Sequence, residues 1–132
     1  NTTTMTGNIE IICGGTITVT GGSRLGTNAS QLDQSVIMYS ESGLVINNGT
    51  IYGLTINKES TISVTNTSAV NGGVINFSSG ISINQSQVTG SVVALAALTV
   101  SNSTLSKGSL PPIYGKDYGF NPMVIPGSYL EY

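Results

Sequence analysis

Carboxylates are the residues of this chain that come closest to a catalytic set, because enzymes that cleave polysaccharides place acidic groups together around the bond they break. When the chain is aligned by its internal repeat of about 18 residues, no two carboxylates occupy equivalent positions on neighbouring repeat units. The sequence has no His, which excludes a Ser–His pair and metal sites built from imidazole. We therefore expect a protein that is not an enzyme, with no catalytic residue, no cofactor and no metal site. The six carboxylates are Glu10, Asp33, Glu41, Glu59, Asp117 and Glu131.

Calcium is the one metal ion that the scattered Asp and Asn side chains, together with backbone carbonyls, could still bind. The Asp/Gly nonapeptides of calcium-binding β-rolls are missing, however.

Asparagines recur at a spacing of about 18 residues, and each begins an Asn-x-Ser/Thr triplet. Such triplets accept N-linked sugars in organisms that have the transferase. The alternative is corner chemistry, since Asn tolerates tight turns and its amide bonds to the backbone or to the Asn of the next turn. We favour the corner interpretation, in which hydrophobic alignment puts Gln85 rather than Asn84 in the corner position. The spaced asparagines are Asn48, Asn66, Asn84 and Asn102, and Asn1 and Asn28 begin two further triplets.

Hydroxyl residues recur as well. Thr16, Thr18 and Thr20 alternate along one segment, and Thr50, Ser68, Ser86 and Thr104 repeat with the same period. Flat threonine arrays bind ice, but here Ser fills the period as often as Thr. We interpret these residues as solvent-facing β positions, which Thr suits.

A single cysteine, Cys13, excludes an internal disulfide and a thiolate metal cluster. We predict a small buried residue beside Ile11 and Ile12, as free Cys usually is.

These spacings follow from a repeat of about 18 residues between Ser35 and Gly108. Each unit reads apolar-x-apolar, a polar corner, another apolar residue and then Gly. One unit this short cannot bury its own core and must stack on its neighbours. The repeat predicts an all-β fold, a right-handed three-sided parallel β-helix (β-solenoid) of about five turns. The units are Leu44–Gly53, Ile62–Gly72, Ile81–Gly90 and Leu98–Gly108.

Each turn is predicted to contain three strands with alternate residues pointing inward. The first side is predicted to start near Val36, Leu54, Val74 and Val92, the second near Leu44, Ile62, Ile81 and Leu98, and the third to centre on Ile51, Val70, Val88 and Leu105. An earlier turn uses Ile9 and Ile11, then Ile17 and Val19, then Leu25, before a polar insertion at residues 26–34.

The final segment, Ser109–Tyr132, holds all four prolines and five of the eight aromatic residues. Because proline cannot donate to a β ladder and an open solenoid end invites pairing, we predict a C-terminal cap or strap of the same domain. An aromatic ligand groove is the alternative. The domain thus comprises a solenoid at residues 1–108 and this segment at 109–132.

Composition limits the partners. Four Lys and Arg in 132 residues cannot neutralise a phosphate backbone, so we expect no nucleic acid. The longest apolar run, Val92–Leu98, is too short to span a bilayer. The start at Asn1, with no signal peptide in view, is typical of a processed protein or an excised domain.

The run Gly90–Leu105 and the ending Pro122–Glu131 resemble the solenoid domains of bacterial minor-pilin-type pilus-assembly proteins, with Tyr129 where Trp is commoner. The resemblance covers roughly residues 44–132 and lacks the family's hydrophobic N-terminal helix. Bactofilins, which are polymer-forming solenoids, share the spacing of Val88 and Gly90 but have more charged surfaces.

The resemblance implies a non-enzymatic structural or adhesive module at the bacterial cell surface, within a type IV pilus system. Its partners would be pilus or cell-surface subunits, or a carbohydrate or host surface that Asn, Ser and Thr contact. The membrane would be reached only through a segment absent from this chain. The alternatives are a bactofilin-like scaffold and a carbohydrate-binding or polysaccharide-degrading solenoid.

Overall fold

The computed structural model describes residues 3–6 and 9–108, so the predicted cap or strap at 109–132 lies outside the described residues. The described part contains thirteen β-strands, one 3₁₀ turn at Leu32–Gln34 and no α-helix. The strands are β1 (Thr4–Met5), β2 (Ile9–Cys13), β3 (Thr16–Thr20), β4 (Arg24–Leu25), β5 (Val36–Ser40), β6 (Gly43–Asn47), β7 (Thr50–Asn57), β8 (Ile62–Thr65), β9 (Ala69–Asn76), β10 (Ile81–Asn84), β11 (Gln87–Ala94), β12 (Leu98–Ser101) and β13 (Thr104–Ser106).

All described strand pairs are parallel, and they form three ladders. The first ladder joins β2, β5 and the C-terminal halves of β7, β9 and β11. The second joins β3, β6, β8, β10 and β12. The third joins β1, β4, the N-terminal halves of β7, β9 and β11, and β13. The predicted β-solenoid of about five turns is therefore confirmed, while its right-handed sense and three flat sides stay predictions.

Inward-facing aliphatic side chains stack from turn to turn and form the core. In the second ladder, Leu44, Ile62 and Ile81 lie in register and are fully buried, as predicted. The predicted third-side residues Ile51, Val70 and Val88 are likewise in register and buried. Burying one such side chain contributes about 1.5–3 kcal/mol, so each added turn stabilises its neighbours.

The glycine that ends each unit lies where a long strand passes from the third ladder to the first. Gly53, Gly72 and Gly90 are in register and have φ of 147°, 137° and 148°. L-residues with a side chain rarely adopt this conformation. Successive turns approach so closely at this column that only hydrogen fits on the Cα atom.

Buried amides occupy the corner between the first and second ladders. Asn57 and Asn76 are in register, and both Nδ2 groups donate to the carbonyl of Ser60, at 2.5 and 2.7 Å. Asn76 also donates to the carbonyl of Gly80 at 2.9 Å. The buried amides thus bond to backbone carbonyls at the corner, and the carbonyl of Gly80 also accepts from the amide of Ile62 on the preceding turn at 3.1 Å.

The register of the first ladder differs from the prediction. Val74 is opposite Thr55 and Val92, so Leu54 does not belong to this inward column. Leu54 instead lies opposite Ile37, with its side chain on the outer side of the ladder. The prediction that Leu54 is equivalent to Val74 and Val92 on the first side was therefore wrong.

Residues 26–34 form a loop between β4 and β5, where the insertion was predicted. The amides of Thr27 and Asn28 donate to the carbonyl of Gln34 at 2.8 and 3.0 Å. Asn28 Oδ1 accepts from the amide and hydroxyl of Ser30 at 2.9 and 2.7 Å. The loop closes on itself without interrupting the ladders on either side.

Candidate functional site: the polar sheet and its corner

The outer side of the second ladder is a sheet of uncharged side chains, all polar except Val45 in the two rows given below, which we name the polar sheet. Its strands alternate between core residues such as Ile62 and Val64 and outward residues such as Ser63 and Thr65. The parallel register aligns the outward residues into two rows along the rod. The first row is Thr18, Val45, Ser63, Ser82 and Thr99, and the second is Thr20, Asn47, Thr65, Asn84 and Ser101.

A left-handed corner borders the polar sheet where the chain passes to the third ladder. Asn48, Asn66, Gln85 and Asn102 have φ of 57°, 55°, 51° and 49°. Asn is the side chain best suited to this region besides Gly. The predicted corner position is confirmed for these three asparagines, as is the placing of Gln85 rather than Asn84 in the corner.

Single-residue differences between turns explain why the corner changes from Asn to Gln. Thr65 pairs with Asn84, so Asn84 ends strand β10 and the next residue begins the corner. Thr67 follows Asn66 in the left-handed region, with φ of 61°. That corner therefore has one residue more than the equivalent corners of the other turns. The strand that follows it is displaced by one residue in the alignment of the sequence repeats.

Side-chain hydrogen bonds connect the turns along this border. Asn66 Nδ2 donates to Asn47 Oδ1 at 2.8 Å. The hydroxyl of Ser101 donates to Asn84 Oδ1 at 3.0 Å. These bonds hold the side chains in position before any ligand binds, which lowers the entropic cost of recognition.

Buried serines support the corner from behind. Ser68 and Ser86 are buried rather than solvent-facing, so the prediction that they repeat with Thr50 on the surface was wrong. The hydroxyl of Ser68 donates to the carbonyl of Thr65 at 2.5 Å and accepts from the amide of Gly49 at 3.3 Å. The register places Ala69, not Ser68, opposite Thr50.

A shallow groove of about 300 Å³ runs along this corner. Its walls offer hydroxyl, amide and backbone groups and no charged side chain. A neutral ligand with many hydroxyl groups matches such a lining, because donors and acceptors alternate within short reach. The lining residues are Thr67, Ser68, Ala69, Gln85, Ser86, Gln87 and Asn102.

A second cavity, of about 350 Å³, opens at the N-terminal end of the rod. Ile11, Ile17 and Met38 line it together with Met5 and Leu25. These side chains belong to the stacked core or pack against it, so the cavity is the uncovered mouth of the solenoid interior.

Three of the charged residues gather at a different corner. Lys58 Nζ lies 3.8 Å from Glu41 and 3.6 Å from Glu59, and all three side chains are substantially exposed. Glu41, with smaller effects of Tyr39 and Glu59, raises the pKa of Lys58 above its ordinary value. The two carboxylates are thus close together on adjacent turns, although the sequence alignment separated them. Exposed pairs of this kind contribute little to stability.

Among the described residues, no three His, Cys, Asp or Glu side chains lie where they could share a metal ion. Glu10 and Asp33 belong to no such group, and Asp117 and Glu131 lie outside the described residues.

Cys13 is half-buried, and its Sγ accepts a hydrogen bond from the amide of Gly15 at 3.3 Å. The prediction that Cys13 is a small buried residue was therefore wrong, and its neighbour Ile12 is exposed on the outer side of the first ladder.

Comparisons with known proteins add no relative. No protein-family model matches the chain, and neither the curated proteins nor the solved structures contain a match. Among the described residues, no helix is long and apolar enough to cross a membrane.

Proposed function

We propose that this chain is a non-enzymatic structural and adhesive module that presents the polar sheet and its corner to a neutral, hydroxyl-rich surface such as a carbohydrate. The observation that carries the proposal is the register of hydroxyl and amide side chains over five turns. Neither row of the polar sheet contains a charged residue.

The mechanism is repeated weak hydrogen bonding from a rigid surface. Strands in a ladder lie about 4.8 Å apart, so equivalent donors and acceptors recur along the rod at that interval. Each hydrogen bond to a ligand adds only about 0.5–1.5 kcal/mol, because it replaces one to water. Many equivalent contacts on a pre-ordered surface then sum to useful affinity.

The resemblance to minor-pilin-type proteins supports placing the module at the bacterial surface with pilus or cell-surface subunits as partners. The full-length gene tests this placement. A hydrophobic pilin-type helix encoded upstream of Asn1 is expected, and a gene without one contradicts the pilus assignment.

A glycan array followed by titration calorimetry tests the adhesive function. The double variant Asn66→Gly and Gln85→Gly removes two corner amides while Gly keeps the left-handed backbone. Binding to neutral glycans should weaken at least about tenfold, which corresponds to ~1.4 kcal/mol.

The matched control is Asn71→Ala, which removes an amide on the outer side of the third ladder. Absence of binding to any neutral glycan, or an equal loss in the control, contradicts the proposed site.

A second candidate function, an end-to-end scaffold, is favoured by exposed apolar side chains in the last described turn. Leu98, Val100 and Leu105 continue the core columns but are 45%, 40% and 44% exposed. An unpaired edge with an apolar core accepts further strands readily. A second copy that stacks its N-terminal turn here would continue the second ladder with the pattern of Ile17 and Val19.

A further inference from the structure

The second row of the polar sheet alternates between hydroxyl and amide side chains. Thr20, Asn47, Thr65, Asn84 and Ser101 follow one another in register, one from each turn. None of the five residues is buried. The chemical pattern of the row therefore repeats every two turns, which is about 10 Å at the usual strand spacing of ~4.8 Å.

Hydrogen bonds between turns fix the orientation of both amides in this row. Asn47 Oδ1 accepts from Asn66 Nδ2 at 2.8 Å, and Asn84 Oδ1 accepts from the hydroxyl of Ser101 at 3.0 Å. In both bonds the donor lies on the following turn. Because each oxygen is engaged in this way, Asn47 and Asn84 present their Nδ2 groups as donors at equivalent positions two turns apart.

The polar sheet is longer along the rod than across it. Each strand contributes one residue to each row, and two such residues, for example Ser63 and Thr65, lie about 7 Å apart along the strand. Five strands in register extend each row over about 19 Å along the rod. A ligand that uses the whole surface is therefore an extended chain that lies parallel to the rod axis.

We propose that the second row binds an unbranched, neutral polysaccharide with β-1,4-linked sugars, which lies along the rod with one sugar ring over each turn. This inference rests on the proposed binding of carbohydrate. Each ring of such a polymer extends it by about the distance between two turns, and successive rings face opposite ways. Every second ring thus presents the same edge, which matches the two-turn period of Asn47 and Asn84. The absence of charge from both rows favours a neutral polymer over an acidic one.

An α-1,4-linked chain of glucose is the matched ligand for comparison. It offers the same hydroxyl groups as a β-1,4-linked chain of glucose, but it coils instead of extending. Its rings cannot stay in step with the turns of the rod, so few of its hydroxyl groups reach the row at the same time.

Titration calorimetry with oligosaccharides of increasing length tests the inference. Two β-1,4-linked series serve as ligands, cello-oligosaccharides and N-acetylated chito-oligosaccharides, and maltohexaose is the α-1,4-linked control. For at least one series the affinity should rise with each added sugar up to about five, since each ring adds hydrogen bonds over one more turn. Maltohexaose should bind at least about tenfold more weakly than the hexamer of that series.

The outcomes separate this inference from the proposed function. An affinity that does not depend on chain length, or equal affinity for maltohexaose, overturns the inference. If other neutral glycans bind and neither β-1,4-linked series does, the inference fails while the proposed function stands. If no neutral glycan binds, the proposed function fails as well.

The role of the two amides is tested by Asn47→Asp combined with Asn84→Asp. This change removes both Nδ2 donors but keeps the oxygens that accept from Asn66 and Ser101. Binding of the hexamer should weaken about tenfold, with folding checked by circular dichroism. Asn71→Asp makes the same chemical change on the outer side of the third ladder and should leave binding unchanged. Equal losses in the two variants overturn the assignment of the row.

The direction of the ligand is tested by substitutions at different turns. A trimer is expected over Asn47, Thr65 and Asn84, because these three turns include both amides. Thr20→Ala on the first turn should therefore weaken binding of the hexamer several-fold and leave the trimer unaffected. Thr65→Ala in the middle turn should weaken binding of both ligands. If Thr20→Ala weakens the trimer as much as Thr65→Ala does, the ligand does not lie along the rod as proposed.

Discussion

Gly72 lies directly against the carbonyl oxygen of Gly53 on the preceding turn. A Cβ atom on Gly72 would be 1.9 Å from that oxygen and 2.7 Å from the carbonyl carbon. Backbone on both sides of this contact belongs to long strands that cannot move independently. The glycine that ends each sequence unit is therefore a requirement of stacking.

Gly72→Ala should consequently be among the most destabilising substitutions in the chain. The φ of 137° adds backbone strain of about 1–3 kcal/mol to the steric conflict, so we expect a total loss above ~4 kcal/mol or no folded protein. Urea unfolding followed by circular dichroism measures the loss.

Gly14→Ala is the control for this substitution, because its added Cβ would meet its nearest neighbour at an ordinary 3.8 Å. A Gly72→Ala variant as stable as the control contradicts the close stacking of turns.

The inward and outward side chains of the second and third ladders could be predicted from the sequence because apolar and polar residues alternate along their strands. Ile62-Ser-Val-Thr has one apolar face and one polar face, so the two-residue period of a β-strand assigns each side chain to the core or to the outer side. The predicted columns through Ile62 and through Val70 are both confirmed. The corner position of Gln85 followed from the same alignment.

The first ladder could not be assigned in this way because both of its faces are apolar. Val36-Ile-Met-Tyr has no polar residue to mark the outside, and Leu54 follows a glycine where an inward aliphatic residue was expected. Strands buried on both faces lose the alternating pattern. Ser68 was misplaced for another reason, since a fixed spacing of 18 ignores the extra residue in the corner at Asn66 and Thr67.

Gln85 is less suited to its backbone than the asparagines at the equivalent corners. It has φ of 51°, and the left-handed region costs ordinary L-residues about 1–2 kcal/mol, less for Asn and nothing for Gly. Gln85→Asn and Gln85→Gly should each stabilise the protein by about 0.5–1 kcal/mol. The midpoint of urea unfolding should rise accordingly.

The preceding residue provides the matched comparison. Asn84 ends strand β10 and accepts a hydrogen bond from Ser101, so Asn84→Gly should lower the unfolding midpoint. If both glycine substitutions change stability in the same direction, the assignment of the corner to Gln85 is wrong.

Tyr39 should make the protein sensitive to alkaline pH. Burial beside Ile37 and Ile56 raises the pKa of its phenol above 10.0, an effect that Lys58 partly offsets and Glu41 and Glu59 reinforce. Since the folded state holds this proton more tightly than the unfolded state, the stabilisation is complete below about pH 10 and declines as the pH rises further.

Tyr39→Phe should flatten this decline, because Phe has no proton to lose. The free energy of unfolding, measured from urea titrations at a series of alkaline pH values, gives the slope. Ile37→Val is the control, since it removes packing from the same buried apolar cluster without removing a titrating group. A decline as steep in Tyr39→Phe as in Ile37→Val would show that the phenol is not its source.

Val100 and Thr99 distinguish the scaffold function from the adhesive one. They are adjacent on β12, but Val100 continues the inward column of Ile83 in the last described turn whereas Thr99 faces outward on the polar sheet. If copies stack end to end, Val100→Asp places a charge in the new core and should abolish assembly, because burying an unpaired carboxylate costs several kcal/mol. Thr99→Asp should leave assembly intact. Light scattering over a range of concentrations, with electron microscopy of the largest species, measures both. A full chain that is monomeric at every concentration excludes the scaffold and leaves the polar sheet as the surface through which the module acts.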